Sequence, residues 1–274
     1  MFVFDPGVIV LLLLFGGLYA RAVRILARRG YEVPVRQQVS WWAGWSMQAI
    51  ALLGPLDRYA PDLMSVHMSQ HLLLADIAVP FLLIGIRTPV LVFIPPRPVL
   101  VALARQRTAR RVFRFLRSPL AAIPAYLVIL YFWHFKFAFE GALRHPLLHA
   151  LQHISFVFAS VLVWWSALEP QRRRLRGELW KIPYIFASRM VSMFLGVAFV
   201  VTRYPVYGSY YGDRPRQNGL SPVVDQQLAG GLMMTLDIII MVGALIFFFY
   251  RASADSDAEE ERSSGGRQVV ASSP

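Results

Sequence analysis

The six histidines of the chain fall into three short stretches: His67 and His71, then His134, then His145, His149 and His153. Two of the stretches repeat one spelling, His-x-x-Gln-His, as HMSQH from His67 to His71 and as HALQH from His149 to His153. Residues four apart sit one above the other on a helix face. Each pair therefore offers two imidazoles to one point, which is ligand chemistry suited to zinc, copper, iron or nickel. The chain has no cysteine, so thiolate sites, disulfides and iron–sulfur clusters are excluded. Any metal must be held by His, Met, carboxylate or backbone oxygen.

Other side chains bear on that site. Gln70 and Gln152 each precede the second histidine of a pair, where an amide can orient a ring nitrogen or bond between helices. Met64, Met68, Met233 and Met234 carry thioethers, which favour Cu(I), although methionine more often fills a core. Asp225 lies where it could attract cations to the outer lip. Asp76, Arg189 and Asp237 fall near the middle of apolar stretches, where charges are costly and pair with one another. At about 100° per residue, Asp76 lies on the opposite face from His67. No His-Glu-x-x-His and no di-iron carboxylate spacing is present. With no convincing general base, the expectation is a protein that is not an enzyme. Residue types alone leave three rivals to a copper site: bis-histidine haem (His67 or His71 against His149 or His153), metal-ion transport through the midplane charges, and a zinc or iron enzyme.

The elements that must position these groups are apolar blocks. The 274 residues are 56% hydrophobic, in runs too long for a soluble domain. The expected fold is an all-α polytopic membrane protein with seven transmembrane helices. Their approximate limits are 7–27, 38–56, 63–85, 119–139, 147–168, 180–202 and 226–250. No basic residue precedes the first, which reads as a retained helix rather than a signal peptide. Residues 98–117 are too basic to span and are expected as an amphipathic helix on the inner surface. Residues 1–250 make one membrane domain, and the polar, acidic 251–274 are expected to be a disordered cytoplasmic tail.

Charge sets the orientation. Arg21, Arg24, Arg28, Arg29 and Arg36 follow the first span, and eight arginines from Arg87 to Arg117 follow the third. Arg172, Arg173, Arg174, Arg176 and Lys181 follow the fifth, whereas the loops around 57–62 and 140–146 hold only Arg58 and Arg144. The positive-inside rule makes the basic loops cytoplasmic, the N-terminus outside and the C-terminus inside. The loop 203–225 is less clean, with three arginines on the outer side. The net charge of +12 lies between apolar blocks, and 26 of the 28 basic residues are arginine. That pattern fits lipid headgroups and argues against nucleic acid.

With this topology, His67 and His71 lie roughly 6 and 12 Å below the outer start of the third span. His149 and His153 lie at similar depth in the fifth, and His134 shares it from the fourth. His145 precedes Pro146 and is expected to cap the fifth span at the outer lip. The six histidines thus form one outer-leaflet layer.

The sequence resembles the CtaG family of cytochrome c oxidase assembly factors, the multi-span membrane type. The resemblance rests on HMSQHLLL (His67–Leu74), Trp133-His134, HPLLHALQHISF (His145–Phe156), Trp164-Trp165 and DQQLAGGLMM (Asp225–Met234), and covers about residues 40–250. Thr235-Leu236-Asp237 departs from the Trp- and Pro-containing continuation common in that family. The resemblance implies a bacterial cytoplasmic-membrane protein that helps copper reach the catalytic subunit of a haem–copper oxidase. Apart from the resemblance, a histidine layer in the outer leaflet suits metal arriving from outside that membrane, with an extracytoplasmic copper donor as a second expected partner.

Overall fold

The described residues of the computed structural model are 5–169 and 179–271, with side chains described to Ser253, and every regular element among them is helical. Arg172, Arg173, Arg174 and Arg176 of the third basic loop lie outside them. The long helices are α1 (Pro6–Arg28), α2 (Val35–Leu53), α3 (Met64–Gly85), then two short ones, α4 (Arg97–Arg105) and α5 (Arg107–Leu116). They are followed by α6 (Pro119–His134), α7 (Lys136–Arg144), α8 (Pro146–Leu168), α9 (Lys181–Val201) and α10 (Pro222–Ala271).

Local chemistry sets the helix ends. The Asp5 carboxylate accepts from the Gly7 and Val8 amides at 2.8 and 3.2 Å, with Pro6 opening α1. Proline likewise opens α6, α8 and α10, where its missing amide proton costs nothing. The backbone of α10 stays helical to Ala271, through the alanine- and glutamate-rich start of the segment whose composition predicts disorder.

Five helices are long and apolar enough to cross a bilayer: Pro6–Arg28, Met64–Gly85, Pro146–Leu168, Lys181–Val201 and Pro222–Ser253. A sixth span results if Arg107–Leu116 and Pro119–His134, which meet at 84°, are taken as one bent unit. The protein is therefore a multi-pass membrane protein with five or six spans by this criterion. The two remaining expected spans are helical but fall short for visible reasons. In α2, Arg36, Gln37, Gln38, Ser40 and Gln48 dilute the apolar run. The expected 119–139 span is cut when Phe135 turns extended (φ −64°, ψ 138°), leaving α6 only 16 residues. The expected amphipathic helix is two pieces, α4 and α5, with no buried residue in either. Large apolar side chains such as Val10, Leu13, Ile239 and Phe249 stay exposed on α1 and α10, as lipid-facing positions do.

Two features bring α3, α9 and α10 to the centre. Gly196 of α9 and Gly230 of α10 oppose each other so closely that a Cβ on Gly230 would lie 2.5 Å from the Gly196 carbonyl. Small residues allow this backbone approach, the usual basis of helix association in lipid. In α3, residues Leu72–Ile77 form a π-helical turn between two α-helical halves. This wider turn changes the phase of everything below His71.

As expected, the midplane charges pair. The Arg189 guanidinium, fully buried, donates to Asp76 and, at 3.4 Å, to Asp237, with the Tyr126 ring 5.2 Å from its centre.

Candidate metal centre

The centre is built from the N-terminal turns of α3 and α8. The N-terminus of α3 is held by a residue from another helix: Asp225 of α10 accepts from the Met64 amide at 2.6 Å, and from the Ser65 amide at 3.1 Å and hydroxyl at 2.5 Å. A carboxylate there satisfies orphan amide groups and complements the helix dipole. The expected cation-attracting lip residue is thus a buried cap, and it fixes where His67 and His71 begin. On α8, His145 supplies the N-cap and Pro146 the first turn, so His149 and His153 follow on successive turns.

The two pairs converge. Ring centroids of His67 and His71 are 4.3 Å apart, and those of His149 and His153 are 4.2 Å apart. Across the helix interface, His67 stacks on His149 at 5.2 Å and His71 meets His153 edge-on at 5.0 Å. One nitrogen from each of His67, His71 and His149 can lie within 4.8 Å of the other two, close enough to share an ion.

Hydrogen bonding separates this from ordinary packing. Both ring nitrogens of His67 and of His71, and the Nε2 atoms of His134, His149 and His153, are buried with no partner among the described residues. A buried polar atom left unmatched costs about 1–3 kcal/mol, so seven on five neighbouring histidines are a large deficit for packing alone. The nitrogens of His67, His71 and His149 lie close enough together for their lone pairs to share a cation, and these three residues fit one. Of the amides, Gln70 does not reach a histidine: it donates to the Ala51 carbonyl and the Asp57 carboxylate, both at 2.9 Å. Gln152 is fully buried, and its amide atoms have no partner among the described residues.

His134 and His145 stand apart from the four. His134 Nδ1 lies 2.7 Å from the Leu130 carbonyl, which can only accept, so Nδ1 carries the proton and Nε2 keeps its lone pair. His134 borders a cavity of about 30 Å³ that it shares with His71, Met68, Met233 and Asp76. Asp76 is there because the π-helical turn intervenes: an unbroken α-helix would set it opposite His67, yet it shares a wall with His71. His145 is exposed and has no ring contact among the described residues.

A roof over the centre was not anticipated from sequence. Phe139 of α7 meets His67 edge-on at 5.2 Å and stacks on Tyr207 at 3.9 Å. The Tyr207 hydroxyl donates to the His134 carbonyl at 2.7 Å, and Tyr211 donates to the Ala60 carbonyl at 3.3 Å. Burial, then the nearby Glu140 charge, holds the Tyr207 hydroxyl well above the usual tyrosine range, so it stays a donor. Aromatic residues clustered at 204–211 are the signal that could have located this roof.

Comparison with known proteins now adds to the geometry. The cytochrome c oxidase caa3 assembly factor family, Caa3_CtaG, matches residues 17–255, most of the chain and all six histidines. The chain belongs to that family. Among curated proteins, this Caa3_CtaG member is 27% identical over 229 residues to the uncharacterised protein Mb0105 of Mycobacterium bovis. The uncharacterised protein MT0111 of Mycobacterium tuberculosis matches to the same extent. In each case the match covers 80% of this chain and 34% of the relative, so the chain spans about a third of the length of these relatives. No solved structure matches it. As a Caa3_CtaG protein it is a multi-pass membrane protein of an oxidase-assembly family, with a buried histidine group that could hold a metal.

Proposed function

We propose that this protein carries copper for assembly of a haem–copper oxidase, holding the ion between α3 and α8 and passing it to the catalytic subunit. The ligands are His67, His71, His149 and His153. His134 lies below them, and His145, exposed at the lip, is the first imidazole an arriving ion meets. The supporting observation is the set of buried ring nitrogens without partners. Copper is cargo here, so the protein needs binding and release by ligand exchange between imidazole sites, and no turnover. In this reading all seven expected helices cross the bacterial cytoplasmic membrane, with the N-terminus outside and α4 and α5 on the inner surface. The histidines then face the side from which an extracytoplasmic donor delivers metal. The cavity of about 30 Å³ that His71 borders holds an ion and no porphyrin, while the apolar pocket of about 460 Å³ beside His153 offers the larger space that a haem would need.

The test is metal analysis and absorption spectroscopy of the purified protein, paired with oxidase copper content in cells. Replacing His71 and His153 together with alanine lowers bound copper and oxidase maturation. Unchanged copper stoichiometry in that double variant ends the proposal, and a Soret band transfers the site to haem.

A further inference from the structure

The cavity of about 30 Å³ that His71, alone of the four histidines, borders is lined by groups of a different chemistry from the histidine cluster. Its walls include the thioether residues Met68 and Met233, both buried, and His134, whose Nε2 is a buried lone pair with no partner among the described residues. His71 borders it from above and Asp76 from below. The volume suits one water-sized occupant.

Electrostatics point to the charge of that occupant. Asp76 and Asp237 share a single cation, Arg189, and among the described residues no other cation pairs with either. With both carboxylates ionised, the group carries one negative charge in excess, deep in the apolar bundle where net charge is costly. A monovalent cation in the cavity above Asp76 balances it, as would a proton on Asp237, whose Oδ2 is buried without a partner among the described residues. Two thioethers and an imidazole select a soft monovalent ion, and Cu(I) answers both requirements.

We infer that this cavity is a second, distinct metal site, taking Cu(I) between Met68, Met233 and His134, with the Asp76–Arg189–Asp237 group as its counter-charge. The inference rests on the proposed copper role and deepens it. His71, bordering both places, is the ligand through which an ion passes from the imidazole layer into the thioether site. The oxidation state does not change along that route, so no electron donor is required.

The test loads the full-length purified protein with Cu(I) alone, anaerobically and under reductant, and measures stoichiometry against a Cu(I) chelator together with copper X-ray absorption. Two ions per chain are expected, with sulfur in the average coordination shell. Met68→Leu combined with Met233→Leu, near-isosteric changes that a core tolerates, halves the copper and leaves a nitrogen-only spectrum. His67→Ala combined with His149→Ala keeps the sulfur-ligated ion. One ion with nitrogen-only ligands in the unaltered protein overturns the second site while leaving the proposed function standing, and marks the cavity as held by water or a proton. No copper in the unaltered protein overturns both.

Discussion

Asp225 and Ser65, 160 residues apart, share a buried hydrogen bond of 2.5 Å between carboxylate and hydroxyl. The same carboxylate caps the Met64 and Ser65 amides, so the last long helix sets the position of the helix that carries His67 and His71. Asp225→Ala removes three hydrogen bonds and exposes orphan amides inside the protein. A loss of about 1–2 kcal/mol is expected from the cap alone, read as a lower melting temperature in detergent. Copper affinity falls with it, because the first turn of α3 loses its anchor. Asp225→Asn, which keeps an acceptor, is expected to recover part of both.

The buried arginine is a stronger constraint. Arg189→Met leaves Asp76 and Asp237 facing each other without a cation, and breaking such a set costs about 3–5 kcal/mol. The variant is expected to accumulate poorly in the membrane, as measured by quantitative blotting. Adding Asp76→Asn and Asp237→Asn restores accumulation, since neutral partners need no counter-charge. Restoration without recovery of the second copper ion fits the role given to this group.

Gly230→Ala tests the packing that brings α10 against α9. The new Cβ would approach the Gly196 carbonyl to 2.5 Å and the Phe199 Cβ to 2.9 Å, so the helices must separate. Overpacking of this kind costs about 1–3 kcal/mol. Gly231→Ala, where nothing lies within 4 Å, is the control expected to hold or slightly raise thermal stability, because alanine is the better helix former.

The roof gives a pH prediction. Tyr207 and Tyr211 are both raised above the ordinary tyrosine value, chiefly by burial. Above about pH 10 the unfolded chain releases these protons while the folded chain retains them. Folded-state stability therefore holds below pH 10 and declines as pH rises further. Replacing Tyr207 and Tyr211 together with Phe flattens that decline in an alkaline unfolding series. At neutral pH, Tyr207→Phe alone costs about 1 kcal/mol for its bond to the His134 carbonyl.

The pairing of His67 with His71 and of His149 with His153 was readable because i,i+4 spacing on a helix is a local rule: once α3 and α8 are helical, each pair must share a face. The Asp76–Arg189–Asp237 pairing was readable because lipid leaves buried charges few alternatives. What escaped was set by long-range or backbone choices. The π-helical turn that brings Asp76 under His71 depends on which carbonyls the backbone selects, and Leu72–Ile77 has no composition that announces it. Asp225 looked like a lip carboxylate because its partners, Met64 and Ser65, lie 161 and 160 residues away. The break at Phe135 contains no proline or glycine, so no local signal marked the end of α6.

The separation of Arg189 from its partners along the chain bears on biogenesis. Asp76 leaves the ribosome 113 residues before Arg189, and Asp237 follows 48 residues after it. The helix bearing Asp76 enters the insertion machinery with its carboxylate unmatched and stays so while α4 to α8 are made. Its stable lodging must await the arginine, so the bundle closes late and from its C-terminal half, and a nascent chain stalled before Arg189 is a substrate for membrane quality control.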